Sequence, residues 1–173
     1  MRNIILSMLI QCCFVTNLQS VYTGNLPHTE AFLDVDYDGM IALYDKPNGN
    51  VIRYLKNEEE NILIFRIEAK KGDMFLITII DPENLASDKH GWIHIGEHIG
   101  IYSRAYTVPL KLYVEPNDTS KIQSIIEEYD PGLYTVIDCK NDWLKVRRVL
   151  HGRIYVGWMA PEMQCPNPYS TCS

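Results

Sequence analysis

Nucleophilic catalysis needs a thiol or hydroxyl beside a base. Cys139 is the candidate thiol in this sequence, and His151 downstream is the candidate base. Cys139 reads, however, as the end of a strand before the turn Lys140-Asn141-Asp142. It does not open a helix, whose N-terminus would lower a thiol pKa. No Gly-x-Ser-x-Gly elbow offers a serine in its place. Metal chemistry has two candidates. His90, His94 and His98 recur every fourth residue, which on a helix would align three imidazoles for zinc. Gly91-Trp92-Ile93 and Gly96 read instead as strand and turn, with the histidines as a surface row on one strand face. Asp34, Asp36, Asp38 and Gly39 match positions one, three, five and six of a calcium loop. Position twelve is Asp45, where a bidentate Glu is usual, and Pro47 denies the loop its following helix. A turn leading into a strand is the expected role. No metal, cofactor or catalytic group is expected.

Binding chemistry has more material. Lys140, Lys145, Arg147, Arg148 and Arg153 cluster late in the chain, against Glu58-Glu59-Glu60 earlier. Such an asymmetry orients a module on an acidic ligand or partner, or makes a solvated strand face. Aromatic rings suit sugar and peptide contact, and they are equally core material. Trp92 and Trp158 are expected in the core. Tyr44 and Tyr113 each precede a proline turn and are expected at the surface, lining a groove. Tyr102, Tyr106, Arg147 and Arg148 complete the candidate ligand-binding set.

The elements that must carry these residues are short strands. Met40 to Tyr44, Ile62 to Ile67, Met74 to Ile80 and Trp92 to Ile95 are rich in β-branched and aromatic residues. Pro47-Asn48-Gly49-Asn50, Lys70-Lys71-Gly72-Asp73 and Asp81-Pro82-Glu83-Asn84 are turns between them. The scheme then recurs. Leu43-Tyr44-Asp45-Lys46-Pro47-Asn48 returns as Leu112-Tyr113-Val114-Glu115-Pro116-Asn117, at an offset of 69 residues. At that offset Asp73-Met74-Phe75-Leu76-Ile77 meets Asp142-Trp143-Leu144-Lys145-Val146. Gly91-Trp92-Ile93 meets Gly157-Trp158-Met159 after a loss of three residues. Ile122, Ile125 and Ile126 break the pattern with helical spacing, and Asp118 or Thr119 could cap a short helical turn there. The expected class is all-β: two tandem small, bent β-barrels, at residues 34–100 and 107–165. Units this small bury too little surface alone. The connector His98 to Val108 is short and partly apolar, so the barrels are expected to pack together.

Composition is that of an ordinary globular chain: 173 residues, 46% hydrophobic and 22% charged, with a net charge of -6. The acidic balance disfavours a general nucleic-acid binder, which needs basic surface. Met1-Arg2-Asn3, the apolar run Ile4 to Val15, and a small residue at Ser20 are the parts of a secretory signal. Residues 1–20 are therefore expected to be removed, with 21–33 an N-terminal segment and no membrane span left behind. Leu9-Ile10-Gln11-Cys12 has the outline of a lipobox, although Gln11 stands where a small residue belongs. Export to a periplasm or cell surface makes disulfides durable. Cys165 and Cys172 close a short loop whose prolines preset its turns, tying the tail 166–173 to the end of the second unit. Cys139 is then left over.

These motifs, in this order, resemble the bacterial SH3 (SH3b) family. Its modules open with a pattern like Asp-Pro-Asp-Gly-Tyr-x-Asn-x-Arg-x-x-Pro, to which Asp36-Tyr37-Asp38-Gly39 through Pro47 is similar. Asp142-Trp143-Leu144-Lys145-Val146 resembles its middle strand. Gly91-Trp92-Ile93 and Gly157-Trp158-Met159 resemble its closing strand. The tail from Gly157 to Cys172 is similar to one found in small exported SH3b proteins of Gram-negative bacteria. Tyr44, Ala42 and Met74 depart from the family's Arg, Asn and Trp. The resemblance implies a noncatalytic binding module of the cell envelope. Its partner would be a cell-wall peptide or glycan, or an envelope protein that it covers as a subunit or inhibitor.

Overall fold

The computed structural model describes residues 29–59, 61–80, 90–170 and 172. The signal, the lipobox, Glu60 and the turn at Asp81 to Asn84 lie outside the described residues. Among the described residues thirteen strands form: β1 (Thr29–Leu33), β2 (Ile41–Tyr44), β3 (Val51–Leu55), β4 (Ile64–Lys71), β5 (Met74–Ile80) and β6 (His90–His94), then β7 (Ile99–Ser103), β8 (Leu110–Tyr113), β9 (Ile122–Ile126), β10 (Tyr134–Lys140), β11 (Trp143–Leu150), β12 (Arg153–Met159) and β13 (Gln164–Cys165). One 3-10 turn, Pro161–Met163, precedes β13. Among the described residues no helix is long and apolar enough to cross a membrane.

The described residues are all-β, as the strand and turn pattern predicts, but their ladders form one open antiparallel sheet. The strand order is β3-β2-β6-β5-β4-β1-β7-β10-β11-β12-β8-β9, with β13 added to β7. Read from the other end, the second half repeats the first: β9-β8-β12-β11-β10-β7 against β3-β2-β6-β5-β4-β1. The irregularities repeat too. A bulge between Leu43 and Tyr44 recurs between Leu112 and Tyr113, and one between Ile67 and Ala69 recurs between Val136 and Asp138. Bulges bend and twist a strand, so both halves curve at the same places.

Two separate closed barrels are not what these ladders make. The inner strands β4 and β10 have their free edges taken by β1 and β7. Those two strands then pair with each other through Phe32–Gly100 and Leu33–Ile99. The edge that might have closed each half is used to join the halves, while β3 and β9 remain the ends of the path. The predicted connector His98 to Val108 therefore contains a central strand. The helical turn predicted around Ile122 is also absent. That segment is β9, paired to β8, with Ile126 buried and Ile122 and Ile125 exposed.

Local chemistry explains the hairpins. Gly72 turns β4 into β5 at φ 62°, and Asn141 turns β10 into β11 at φ 53°. Gly and Asn tolerate this left-handed region. The apolar faces meet in one core that runs through both halves, from Leu43, Phe65, Phe75 and Ile93 to Leu112, Tyr134, Leu144 and Val146. Burying each such side chain contributes roughly 1.5–3 kcal/mol, which ties the halves into one hydrophobic unit.

Candidate functional site

The nucleophile and the base are apart. Cys139 pairs with Leu144 at the start of β11, whereas His151 follows the far end of that strand. Six strand residues separate those ends by roughly 20 Å. His151 and Gly152, both at positive φ (51° and 76°), make the β11–β12 hairpin turn. Burial pushes the Cys139 thiol up to about 11, and the Asp138 carboxylate adds to the rise. A nucleophilic thiol would be shifted the other way.

The metal candidates are dispersed. His90 and His94 lie on β6, but His98 stands beyond it and stacks on Tyr37, centroids 3.7 Å apart. His94 Nδ1 lies 3.2 Å from Asp73 Oδ2, on the exposed end of a hairpin. In the Asp34–Asp38 turn, Asp34 Oδ1 accepts the Asp36 N–H and Asp34 O accepts the Tyr37 N–H. Among the described residues no group of three potential ligands converges.

The basic cluster is largely committed. Arg147 reaches Glu97 at 2.9 Å, across the connection between the halves. Lys145 lies over the Trp158 ring and Arg153 over the Tyr155 ring. Arg148 grips Asp130 with a fork of two bonds, Nε to Oδ2 and Nη2 to Oδ1, the latter at 2.8 Å. Its Nη1 also donates to Leu133 O. Burial alone would raise the Asp130 carboxyl, but the Arg148 and Gly132 hydrogen bonds hold it below its usual value.

Tyr44 and Tyr113 do not line a common groove. They occupy matching positions in opposite halves, each next to a bulge in the facing strand, β3 or β9. Tyr44 pairs with Trp92 across the ladder and meets His94 edge-on. Tyr113 packs edge-on against Trp143, beside buried Trp158 and Ala160. Trp158 is core as expected, whereas Trp92 is only half-buried. Tyr113 also borders a cleft of about 340 Å³ with Lys111, Pro109 and Glu162.

Tyr102 and Tyr106 do come together. They line a cleft of about 330 Å³ with Tyr129, Tyr169, Pro131 and Pro168. Each wall has a structural reason. Tyr102 is fixed on β7, where Cys165 of β13 pairs with it. Tyr106 and Tyr129 lie 4.8 Å apart, ring to ring. The Arg148–Asp130 fork anchors the turn carrying Tyr129 and Pro131, with Gly132 N–H donating to Asp130 Oδ1. The tail is closed by the Cys165–Cys172 disulfide, as the spacing predicts. Tyr169 then reaches the first half, its hydroxyl accepting the Ile62 N–H. Burial raises the Tyr102 phenol, and Asp34 and Asp36 raise it further. The arrangement can do what aromatic clefts do: hold a ligand by ring faces, with phenol hydroxyls and backbone groups to orient it. The sequence reading missed Tyr129, Pro131, Pro168 and Tyr169. Their one local signal was tyrosine beside proline in two loops far apart in the chain.

No family model matches the chain, and no curated protein matches it in sequence. Among solved structures it is similar to NlpC1 from Trichomonas vaginalis, with 13% identity, a TM-score of 0.33, and 82% of this chain covered against 47% of that one. NlpC2 from the same organism gives 12% identity, a TM-score of 0.32, and coverage of 82% and 49%. The chain spans about half the length of each.

Proposed function

We propose that this chain is a noncatalytic, exported binding module of the cell envelope, built as two SH3b-like units, that holds a peptide or glycan of the cell wall. The observation that carries the reading is the tyrosine-lined cleft beside β7. Rings from β7, two loops and the disulfide tail converge there, with the Arg148–Asp130 fork and the Cys165–Cys172 disulfide fastening two of the walls. The repeated strand order and repeated bulges support the tandem reading. The disulfide supports export, because such bonds persist in oxidising compartments. The distance between Cys139 and His151, and the raised thiol, speak against that pair as a nucleophile and its base.

The test is co-sedimentation of residues 21–173 with purified peptidoglycan sacculi. Pelleting is expected, and Tyr106→Ala or Tyr129→Ala should weaken it while Tyr44→Ala leaves it intact. A protein that stays in the supernatant across salt and pH refutes wall binding. A second reading then gains ground, on a separate observation. Val51, Ile52 and Tyr54 stand exposed on β3, at the open end of the sheet. An apolar edge strand of this kind suits a protein partner that adds a strand to it. On that reading the chain is a subunit or inhibitor of an envelope enzyme.

A further inference from the structure

The two halves differ at one matching place. In the second half Arg148 of β11 grips Asp130 on the turn before β10. The same places in the first half hold other residues. Thr78 faces Arg66 as Arg147 faces Thr135, so Ile79 stands where Arg148 stands. Asn61 precedes Phe65 by four residues, as Asp130 precedes Tyr134, so an amide replaces the carboxylate. What remains is a cleft of about 340 Å³ between β3, the turn that follows it and the end of β5. Its floor is apolar, from buried Leu55 and Ile79 and half-buried Leu63. Its rim carries Arg53, Lys56, Glu58 and Asn61. Register places Arg53. It faces Leu43 across the β2–β3 ladder, and facing residues share one side of a sheet. Leu43 is buried, so Arg53 lies on the core side of the end strand. Its counterpart on β9, facing Leu112, is Ser124. Glu58 is tied to Asn61 by two backbone hydrogen bonds. Among the described residues no ion pair engages Arg53, Lys56 or Glu58. The first half thus holds a guanidinium without the carboxylate that meets one in the second.

We infer that this cleft takes the C-terminal end of a peptide whose last residue is apolar. The terminal carboxylate meets the Arg53 guanidinium, a planar fork suited to it. The last side chain covers the floor of Leu55, Leu63 and Ile79. The peptide backbone has the free edge of β3 beside it. Two cations against one carboxylate give the rim a positive balance. A neutral ligand leaves that balance uncompensated, and a small inorganic anion leaves the floor bare. The site is separate from the tyrosine cleft: Ile62 lines one and Tyr169 the other, joined by a hydrogen bond. The inference rests on neither reading given above.

The test titrates the disulfide-bonded protein with N-acetyl-glycyl-leucine, with its C-terminal amide, and with octanoate. Methyl and arginine side-chain signals are followed by NMR. The peptide acid should shift Leu55, Leu63, Ile79 and Arg53, and bind about fivefold more tightly than the amide. Arg53→Gln should remove most of that difference. Asn61→Asp, which supplies the second half's carboxylate, should weaken the acid by about threefold. Both positions are exposed, and an unchanged melting temperature checks that both variants fold. Tyr106→Ala should leave the acid's affinity as it was. Equal binding of acid and amide, or no shift from the acid at about 20 mM, overturns the inference. So does acid binding that survives Arg53→Gln undiminished, or that is lost with Tyr106→Ala, which places the probe in the tyrosine cleft. Octanoate binding as tightly as the peptide acid overturns the peptide assignment in favour of a fatty acid, whereas weaker octanoate binding supports it.

Discussion

Replacing Asp130 by Asn removes one charge and almost no volume. In the native chain Asp130 is 6% exposed and accepts two bonds from Arg148. Asn keeps an acceptor for Gly132 N–H and for one arm of the guanidinium. It turns a donor toward the other arm and leaves the cation uncompensated. A hydrogen bond to a charged group contributes about 1.5–3 kcal/mol, and halving a fully buried ion pair costs about 3–5 kcal/mol. The Arg148 side chain keeps 24% exposure, so the lower part of that range applies. The expected loss is about 2–3 kcal/mol at pH 7. At about 2–4 °C per kcal/mol, the melting temperature should fall by roughly 4–12 °C. The pH dependence carries the sign. The folded Asp130 carboxyl lies below its unfolded value. Its contribution is therefore complete above the unfolded value near 3.9, and is lost as pH falls through the folded one. Urea melts of both proteins should show a constant gap from pH 7 to pH 5 and a shrinking gap below about pH 4. A loss under about 0.5 kcal/mol at pH 7 would refute the argument, since that is the value of a surface pair. So would a gap indifferent to pH.

Two further outcomes follow from the same geometry. A thiol raised to about 11 should react slowly with Ellman's reagent at pH 8 and rapidly once urea opens β10, so fast native labelling would contradict the burial of Cys139. Gly91→Ala and Gly157→Ala should each cost about 1–3 kcal/mol in thermal melts. An added Cβ would lie 2.7 Å from Leu43 Cδ1 in one half and 2.8 Å from Leu112 Cβ in the other, so unequal losses would argue against equivalent packing of the repeats.

Much of the strand content could be read in advance because its causes are local. Met74 to Ile80 is a β-branched and aromatic run between a glycine turn and a proline turn, and its boundaries match β5. The 69-residue offset is visible in the strands β2, β4 and β5 and their partners β8, β10 and β11. What escaped depends on distant partners. On β3, four of five residues are exposed, so no alternation marks it. On β7 nearly every residue is buried, since β1, β10 and β13 surround it, and alternation vanishes for the opposite reason. The spacing of Ile122, Ile125 and Ile126 suggests a helix, but pairing with β8 decides for a strand. The binding set divides in the same way. Tyr102 and Tyr106 are four residues apart and could be grouped from sequence. Tyr129 and Tyr169 reach them only through the Arg148–Asp130 fork and the closed tail.

The pairing of β1 with β7 also sets a schedule for synthesis. Phe32 leaves the ribosome well before Gly100, its partner across the seam. Until β7 is made, β1 carries an unpaired edge, and the first repeat has an unfinished flank of backbone donors and acceptors. Long-range pairings of this kind form late and leave nascent chains open to association. The first repeat is thus an incomplete folding unit by construction, and its native edge is supplied by the second.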